Sequence, residues 1–252
     1  MSQRLRPVIL RFDSLPSTNT EAARQAALGA DEGLCVVARE QTRGRGRLGR
    51  TWVSPPDAGL YFSVVLRPAL DAPAWPLLTL AASLAAADAL RAACGVEVDI
   101  KWPNDLLAGE RKLCGILAEA LETPRGRACV LGIGINLNGQ AFPPELSETA
   151  TSVESLTGAR PEVEVLLGEL VRAVGERYER LQSPGGAEET LAAWSARSSY
   201  AEGRRVRVTT ADAAFEGTTR GLETDGALRV ETPAGEIRIV RAGDVTALRR
   251  TR

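Results

Sequence analysis

The run CGILAEALETPRGRACVLGIGINL, residues 114–137, decides the architecture of this 252-residue chain. Two apolar segments, 114–121 and 128–137, are separated by residues 123–126, where Pro124 and Gly126 make a turn. Short apolar runs bounded by turn residues read as adjacent strands. Upstream, residues 96–102 form a strand leading into Pro103, Asn104 and Asp105. Before it, Pro76 opens an Ala/Leu-rich core helix to about Ala93, apolar at helical spacing and broken by Asp88 and Arg91. Residues 8–12, 34–38 and 60–66 are further short strands. Thr18 with Glu21 sets a capping box for a helix through Ala27, stopped by Gly29. Residues 41–52, QTRGRGRLGRTW, have no periodicity and form a loop.

Downstream, Val165, Leu166, Leu170, Val174 and Leu181 mark an amphipathic helix within residues 161–181, and residues 187–197 a second helix. After Gly203 come short β-branched segments separated by Gly, Asp and Pro, as in a small all-β barrel. The chain thus divides into an α/β unit, residues 1–202, and a β unit, residues 203–252, with the tail LRRTR as a solvated end.

Composition narrows the chemistry. With 44% hydrophobic and 25% charged residues the chain buries a core and is not disordered. Lys and Arg total 31 against 32 Asp and Glu, so no broadly basic face for nucleic acid is expected. The absence of histidine excludes Ser-His-Asp and Cys-His catalysis and His-ligated zinc. Cys35, Cys94, Cys114 and Cys129 stand singly, without ligand spacing, and read as small buried hydrophobes of a reducing compartment. MSQRLRPVILRFD has no signal-peptide core, and no stretch is read as reaching the roughly 18 apolar residues of a membrane span. The expected location is the cytoplasm. Only two of the basic residues are lysine, Lys101 and Lys112, and both fall in or beside motifs. Where an ammonium survives such arginine bias, the broader guanidinium fork is a poor substitute.

Four segments carry candidate chemistry. Gly44, Gly46 and Gly49 alternate with Arg43, Arg45, Arg47 and Arg50, and Trp52 closes the run. Such a loop can cradle phosphates through backbone N–H groups and guanidinium forks, or serve as an RG-rich RNA-binding loop. Its mutually repelling arginines imply a mobile loop that an anionic ligand would close. The segment KWPND, residues 101–105, places Lys101 at a strand end, where α/β ligand sites occur, with Asn104 and Asp105 as turn, ligand or Mg²⁺ groups. GIGIN, residues 132–136, gives small residues for close approach and ends in Asn136. Ser17, Thr18 and Asn19 are either a helix N-cap or a polar ligand contact at a helix N-terminus.

In this order Ser17-Thr-Asn19, Gln41 with GRGRLGRTW, KWPND, RKLCGILAE and GIGIN resemble the biotin–protein ligases over most of the chain. The resemblance implies a mixed-sheet α/β catalytic domain followed by an SH3-like barrel. It implies that biotin and Mg·ATP give biotinyl-5′-AMP, from which a lysine of a biotin carboxyl carrier domain takes the biotinyl group. Ser17, Thr18, Asn19, Gln41, Arg45, Gly46, Arg47 and Lys101 are then the biotin contacts. Arg45, Lys101, Asn104 and Asn136 are the nucleotide contacts, and Lys101 and Arg47 the catalytic pair; no protein metal ligand is implied. Lys112 is left without a clear role. Only seven residues precede the first strand, so the expected form lacks a DNA-binding domain, and a homodimer through the sheet edge fits the family. A tryptophan stacking on adenine is absent from the segment after GIN. Two other readings stand beside this one: a lipoate ligase or octanoyl transferase, the latter needing a nucleophilic cysteine such as Cys114, and a non-catalytic nucleotide- or RNA-binding module.

Overall fold

The computed structural model describes residues 5–139 and 142–248. In chain order the α/β unit runs β1 (Val8–Leu15), α1 (Thr18–Ala27), β2 (Leu34–Gln41), β3 (Gly59–Leu66), α2 (Leu77–Cys94), β4 (Asp99–Lys101), β5 (Asp105–Ala108), β6 (Arg111–Thr123), β7 (Gly126–Asn136), α3 (Val153–Thr157), α4 (Val163–Leu181) and α5 (Gly186–Ala196). The hairpin expected at residues 114–137 is β6 and β7, paired antiparallel with a turn between Thr123 and Gly126. It lies inside a seven-stranded sheet of order β1-β2-β3-β7-β6-β5-β4. Only β1 and β2 run parallel, so the sheet is mixed.

Both faces of the sheet are covered, and period-two alternation decides what covers each. Leu60, Phe62, Val64 and Leu66 of β3, with Cys129, Leu131, Ile133 and Ile135 of β7, point into the main core. There α2 packs with α4 and α5. Each fully buried Leu or Phe side chain contributes about 1.5–3 kcal/mol. The opposite face carries Val65, Ala128 and Val130 under Ala22 and Ala26 of α1. The first turn of α1 stands over Gly132 through Asn19, and Gly134 beyond it lies under the Trp52 indole, which sets the place of the site.

Several sequence expectations need correction. The N-cap of α1 is Ser17, whose Oγ accepts from Thr20 N, so the residue at the box position is Thr20 and Glu21 pairs with Arg24 and Gln25 instead. The strand expected at residues 96–102 shrinks to β4, and β5 and α3 had no sequence signal. One stretch, Ala72–Cys94, does meet the length and composition of a membrane span. In the fold its Leu77, Leu80, Leu84 and Leu90 are buried in the core. Its Asp88 is gripped by Arg177 of α4 at 2.7 Å and by Arg197 at 2.5 Å.

The C-terminal unit comprises β8 (Glu202–Thr209), β9 (Ala214–Leu222), β10 (Leu228–Glu231), β11 (Ile237–Val240) and β12 (Asp244–Ala247). They form an antiparallel sheet of order β11-β10-β9-β8-β12, in keeping with a small SH3-like barrel whose β11 and β12 edges are unpaired among the described residues. Trp102 Nε1 donates to Gly226 O at 3.0 Å and joins the two units. Residues 249–252 of the tail lie outside the described residues.

Candidate active site

Three glycines make the floor. Gly115 and Gly134 are direct cross-strand partners on β6 and β7, and Gly132 lies opposite Leu117. A Cβ at Gly134 would sit 2.7 Å from the Trp52 indole, and one at Gly115 2.9 Å from the same ring. A Cβ at Gly132 would meet Asn19 Oδ1 at 2.0 Å. Any larger residue would therefore fill the space now taken by Trp52 and Asn19. The Trp52 Nε1–H is buried here without a partner, an unanswered donor at the wall of the cavity.

The polar end is a connected network. Asn19 Nδ2 donates to Leu117 O at 3.2 Å and to Glu119 Oε2 at 2.8 Å. Ser63, fully buried in β3, has one proton, which the 2.6 Å contact assigns to Asn19 Oδ1. The Thr18 hydroxyl donates to Gln41 Oε1 at 3.1 Å, which also accepts from Thr18 N at 2.8 Å. Gln41 Nε2 donates to Ser54 Oγ at 2.9 Å. Ser17, Thr18, Asn19 and Gln41 thus line one cavity with Arg45, Gly46, Arg47, Trp52 and Asn104. Ser63 escaped notice in the sequence because it belongs to no motif, and Glu119 because nothing local in RKLCGILAE marks its carboxylate as a partner of Asn19.

The glycine–arginine loop is ordered as a small hairpin. Gly46 N donates to Arg50 O at 2.7 Å and Trp52 N to Gly44 O at 2.9 Å. Gly44 is required because its Cβ would lie 2.3 Å from Trp52 O on the returning strand. Two of its arginines are paired with carboxylates and a third is held by neutral acceptors. Arg45 pairs with Glu119, Arg50 pairs with Asp244, and Arg47 donates to Asn104 Oδ1 at 3.2 Å and Gly243 O at 3.3 Å. Burial pulls the Arg47 pKa below its usual value, Asp244 and Asp105 oppose that shift, and the neighbouring Arg50 charge adds to it.

A β-bulge decides which lysine reaches the floor. The register of β5 on β6 pairs Leu106 with Cys114 but Leu107 with Lys112, so Leu113 is the extra residue. Leu113 and Cys114 both enter the core, and alternation is broken. Lys112 therefore comes to the cavity face, its Cε within 3.0 Å of where a Gly115 Cβ would be. Its Nζ lies 2.6 Å from Asp105 Oδ1, an ion pair without hydrogen-bond alignment, and 5.2 Å from the Trp52 ring centroid.

Lys101 sits on the other side of Asp105, 3.6 Å from Oδ2, and lines a second, larger cavity of about 690 Å³ rather than the first. Trp52, Asp105 and Lys112 border both cavities. Asn136 also borders the larger one, but its Nδ2 donates to Lys112 O and Thr151 O, so it fastens the Lys112 backbone. Asn104 Nδ2 donates to Ile116 O at 2.8 Å and holds the 103–105 turn to β6. Phe142 supplies the larger cavity with an aromatic ring.

Cys114 is fully buried on the core side of the sheet, and burial raises its pKa far above the ordinary thiol value despite the nearby Lys112. It is no nucleophile for the cavity. Among the described residues no three His, Cys, Asp or Glu side chains gather as a metal cage. Asp105 of β5 and Glu119 of β6 are already paired with cations.

Glycine floor, arginine loop and paired cavities coincide with a family match. Residues 11–136 match the Biotin/lipoate A/B protein ligase family, and the chain belongs to it. Residues 203–246 match the Biotin protein ligase C terminal domain. The chain is 38% identical over 240 residues to the biotin–[acetyl-CoA-carboxylase] ligase of Mycobacterium tuberculosis, covering 92% of this chain and 86% of that relative. It is 38% identical over 236 residues to the ligase of the same name from Paracoccus denitrificans, covering 91% and 96%. Its fold matches the biotin protein ligase of Aquifex aeolicus in complex with biotin and ATP at TM-score 0.82 and 28% identity, over 96% of this chain and 98% of that one.

Proposed function

We propose that the chain condenses biotin with ATP to biotinyl-5′-AMP and pyrophosphate, then passes the biotinyl group to a lysine of a biotin carboxyl carrier domain and releases AMP. One observation carries this reading: Lys112 stands where the two cavities share a wall. An acid seated on the glycine floor and a nucleotide in the larger cavity would meet there. A unit cation about 4 Å from a unit anion near a protein surface gains about 4 kcal/mol, enough to draw carboxylate and α-phosphate together. Fixed charge that strengthens as the transition state forms lowers the barrier, and positioning replaces a protein nucleophile in a chain without histidine.

The remaining roles follow from placement. Gly115, Gly132 and Gly134 let Trp52 and Asn19 settle against the sheet as walls of the ring's pocket, and Ser17, Thr18, Asn19 and Gln41 offer amide and hydroxyl groups to its polar edge. Trp52 Nε1 adds a donor. Arg45, Gly46 and Arg47 cover the ring and the phosphates. Lys101 serves the nucleotide from the larger cavity and Phe142 its base, while Asn104 and Asn136 hold Arg47 and Lys112 in position. In the second step the carrier amine attacks the acyl carbon, the C–N bond forms and the bond to AMP breaks. The described carboxylates do not fit a protein-held metal, so Mg²⁺ enters on the triphosphate, and no step here passes through it.

The C-terminal match favours biotin over lipoate, and the position of Cys114 argues against a thiol-dependent octanoyl transferase. Paired arginines argue against an RNA-binding loop. The test is acid-dependent ATP–pyrophosphate exchange with biotin, lipoate and octanoate. Exchange with biotin alone is expected; exchange with lipoate alone, or with none of the three, would overturn the reading.

A further inference from the structure

The C-terminal unit touches the loop that covers the glycine floor. Asp244 opens β12 and lines the smaller cavity, yet it lies 194 residues from its partner Arg50. Beside it Gly243 O accepts from Arg47. The turn that presents both is fixed: Gly243 has φ +148 and packs so closely on β8 that a Cβ would lie 2.7 Å from Thr209 O. On its other flank the loop is tied to the sheet by Arg45 and Glu119. The loop is therefore held closed from two sides by the protein's own carboxylates, one of them supplied by a different unit.

We propose that Asp244 is a positioning residue that latches the glycine–arginine loop over the activated acyl-adenylate, giving the C-terminal unit a direct part in retaining that intermediate. This rests on the ligase reading above. The pair is partly solvent-exposed, with 63% of the Arg50 side chain and 28% of the Asp244 side chain accessible. An exposed ion pair is weak, so the latch opens readily for substrate entry and product exit while biasing the loop toward closure. An acidic group acting on the phosphates directly would have the opposite sign: its removal would hold the anionic adenylate longer.

The experiment follows release of preformed biotinyl-5′-AMP from the full-length enzyme, in the absence of a carrier protein. It compares wild type with Asp244→Asn, Asp244→Glu and the exchanged pair Arg50→Asp with Asp244→Arg. Asp244→Asn should release the adenylate about 2–5-fold faster, the range an exposed pair supports. Its melting temperature should be retained, Asp244→Glu should recover much of the retention, and the exchanged pair should restore it. Unchanged or slower release in Asp244→Asn, while wild type shows biotin-dependent pyrophosphate exchange, would overturn the latch and leave the ligase reading intact. Absence of that exchange in wild type would overturn both.

Discussion

Gly134→Ala tests the floor most directly. The added methyl would lie 2.7 Å from Trp52 Cε2 and Nε1, where ordinary contact begins at 3.4 Å, so the indole must lift or the ligand must. Overpacking of this kind costs typically 1–3 kcal/mol. If that strain falls on the bound ring, the KM for biotin rises about 5–150-fold at tenfold per 1.4 kcal/mol, centred near 30-fold. The apo-protein carries this strain too, because the Trp52 contact is present without ligand. Alanine is better than glycine inside a strand by about 0.5–1 kcal/mol, which offsets part of the strain. The remaining cost of about 0–2.5 kcal/mol should lower its melting temperature by up to about 10 °C, at roughly 2–4 °C per kcal/mol for a chain of this size. Gly168→Ala on α4 is the control: nothing lies within 4 Å of a Cβ there, so it should stabilise without changing KM. Steady-state biotinylation at saturating ATP, with thermal unfolding in parallel, reads both quantities. A biotin KM within twofold of wild type would refute the assignment of the ring to this floor.

Lys112→Ala should reduce the first-turnover rate of pyrophosphate release by about 10²–10³-fold, since it removes a transition-state contact. Lys101→Ala should act mainly through the KM for ATP; equal losses of first-turnover rate in both variants would contradict the division of roles. Ser63→Ala leaves the buried Asn19 Oδ1 without its donor and should cost about 1–3 kcal/mol in urea unfolding, together with a higher biotin KM. Burial pushes the Cys35 thiol up to about 12 from 9.0, so the native state keeps that proton when the unfolded chain releases it. Stability should then fall as pH rises above about 9, and Cys35→Ala should lose about 1.4 kcal/mol less than wild type between pH 8 and pH 10. Equal losses in urea titrations at the two pH values would contradict it.

The central hairpin, the long core helix and the loop at residues 41–52 were legible because period and turn chemistry are local properties. Lys112 was not. Strict alternation along β6 puts it on the side of Cys114, facing the core, and only the bulge at Leu113 returns it to the cavity. Motif position alone therefore weighted Lys101, which the structure sets in the larger cavity. The arginine loop misled for a related reason: its partners Glu119 and Asp244 lie 74 and 194 residues away, so a local reading finds only repulsion. Asn136 looked like a ligand contact, but the amide at the end of β7 is where the chain fastens residues 112 and 151 together. Ser63 carries the same lesson in reverse, a hydroxyl inside an apolar strand whose use appears only when Asn19 and Thr18 are folded over it.

The burial of α2 bears on how the chain comes to be made. Ala72–Cys94 is as apolar as a bilayer-crossing segment, and its one internal carboxylate, Asp88, is met by Arg177 and Arg197, which follow it by 89 and 109 residues. During synthesis at about 5–20 residues per second, roughly 5–20 s separate the appearance of this segment from the arrival of the last of those cations. Over much of that interval the ribosome presents a sticky helix whose helical cover, α4 and α5, is still being translated. A nascent chain halted before residue 197 would carry the same exposed surface permanently, making the distal helices as much guardians of solubility as parts of the finished enzyme.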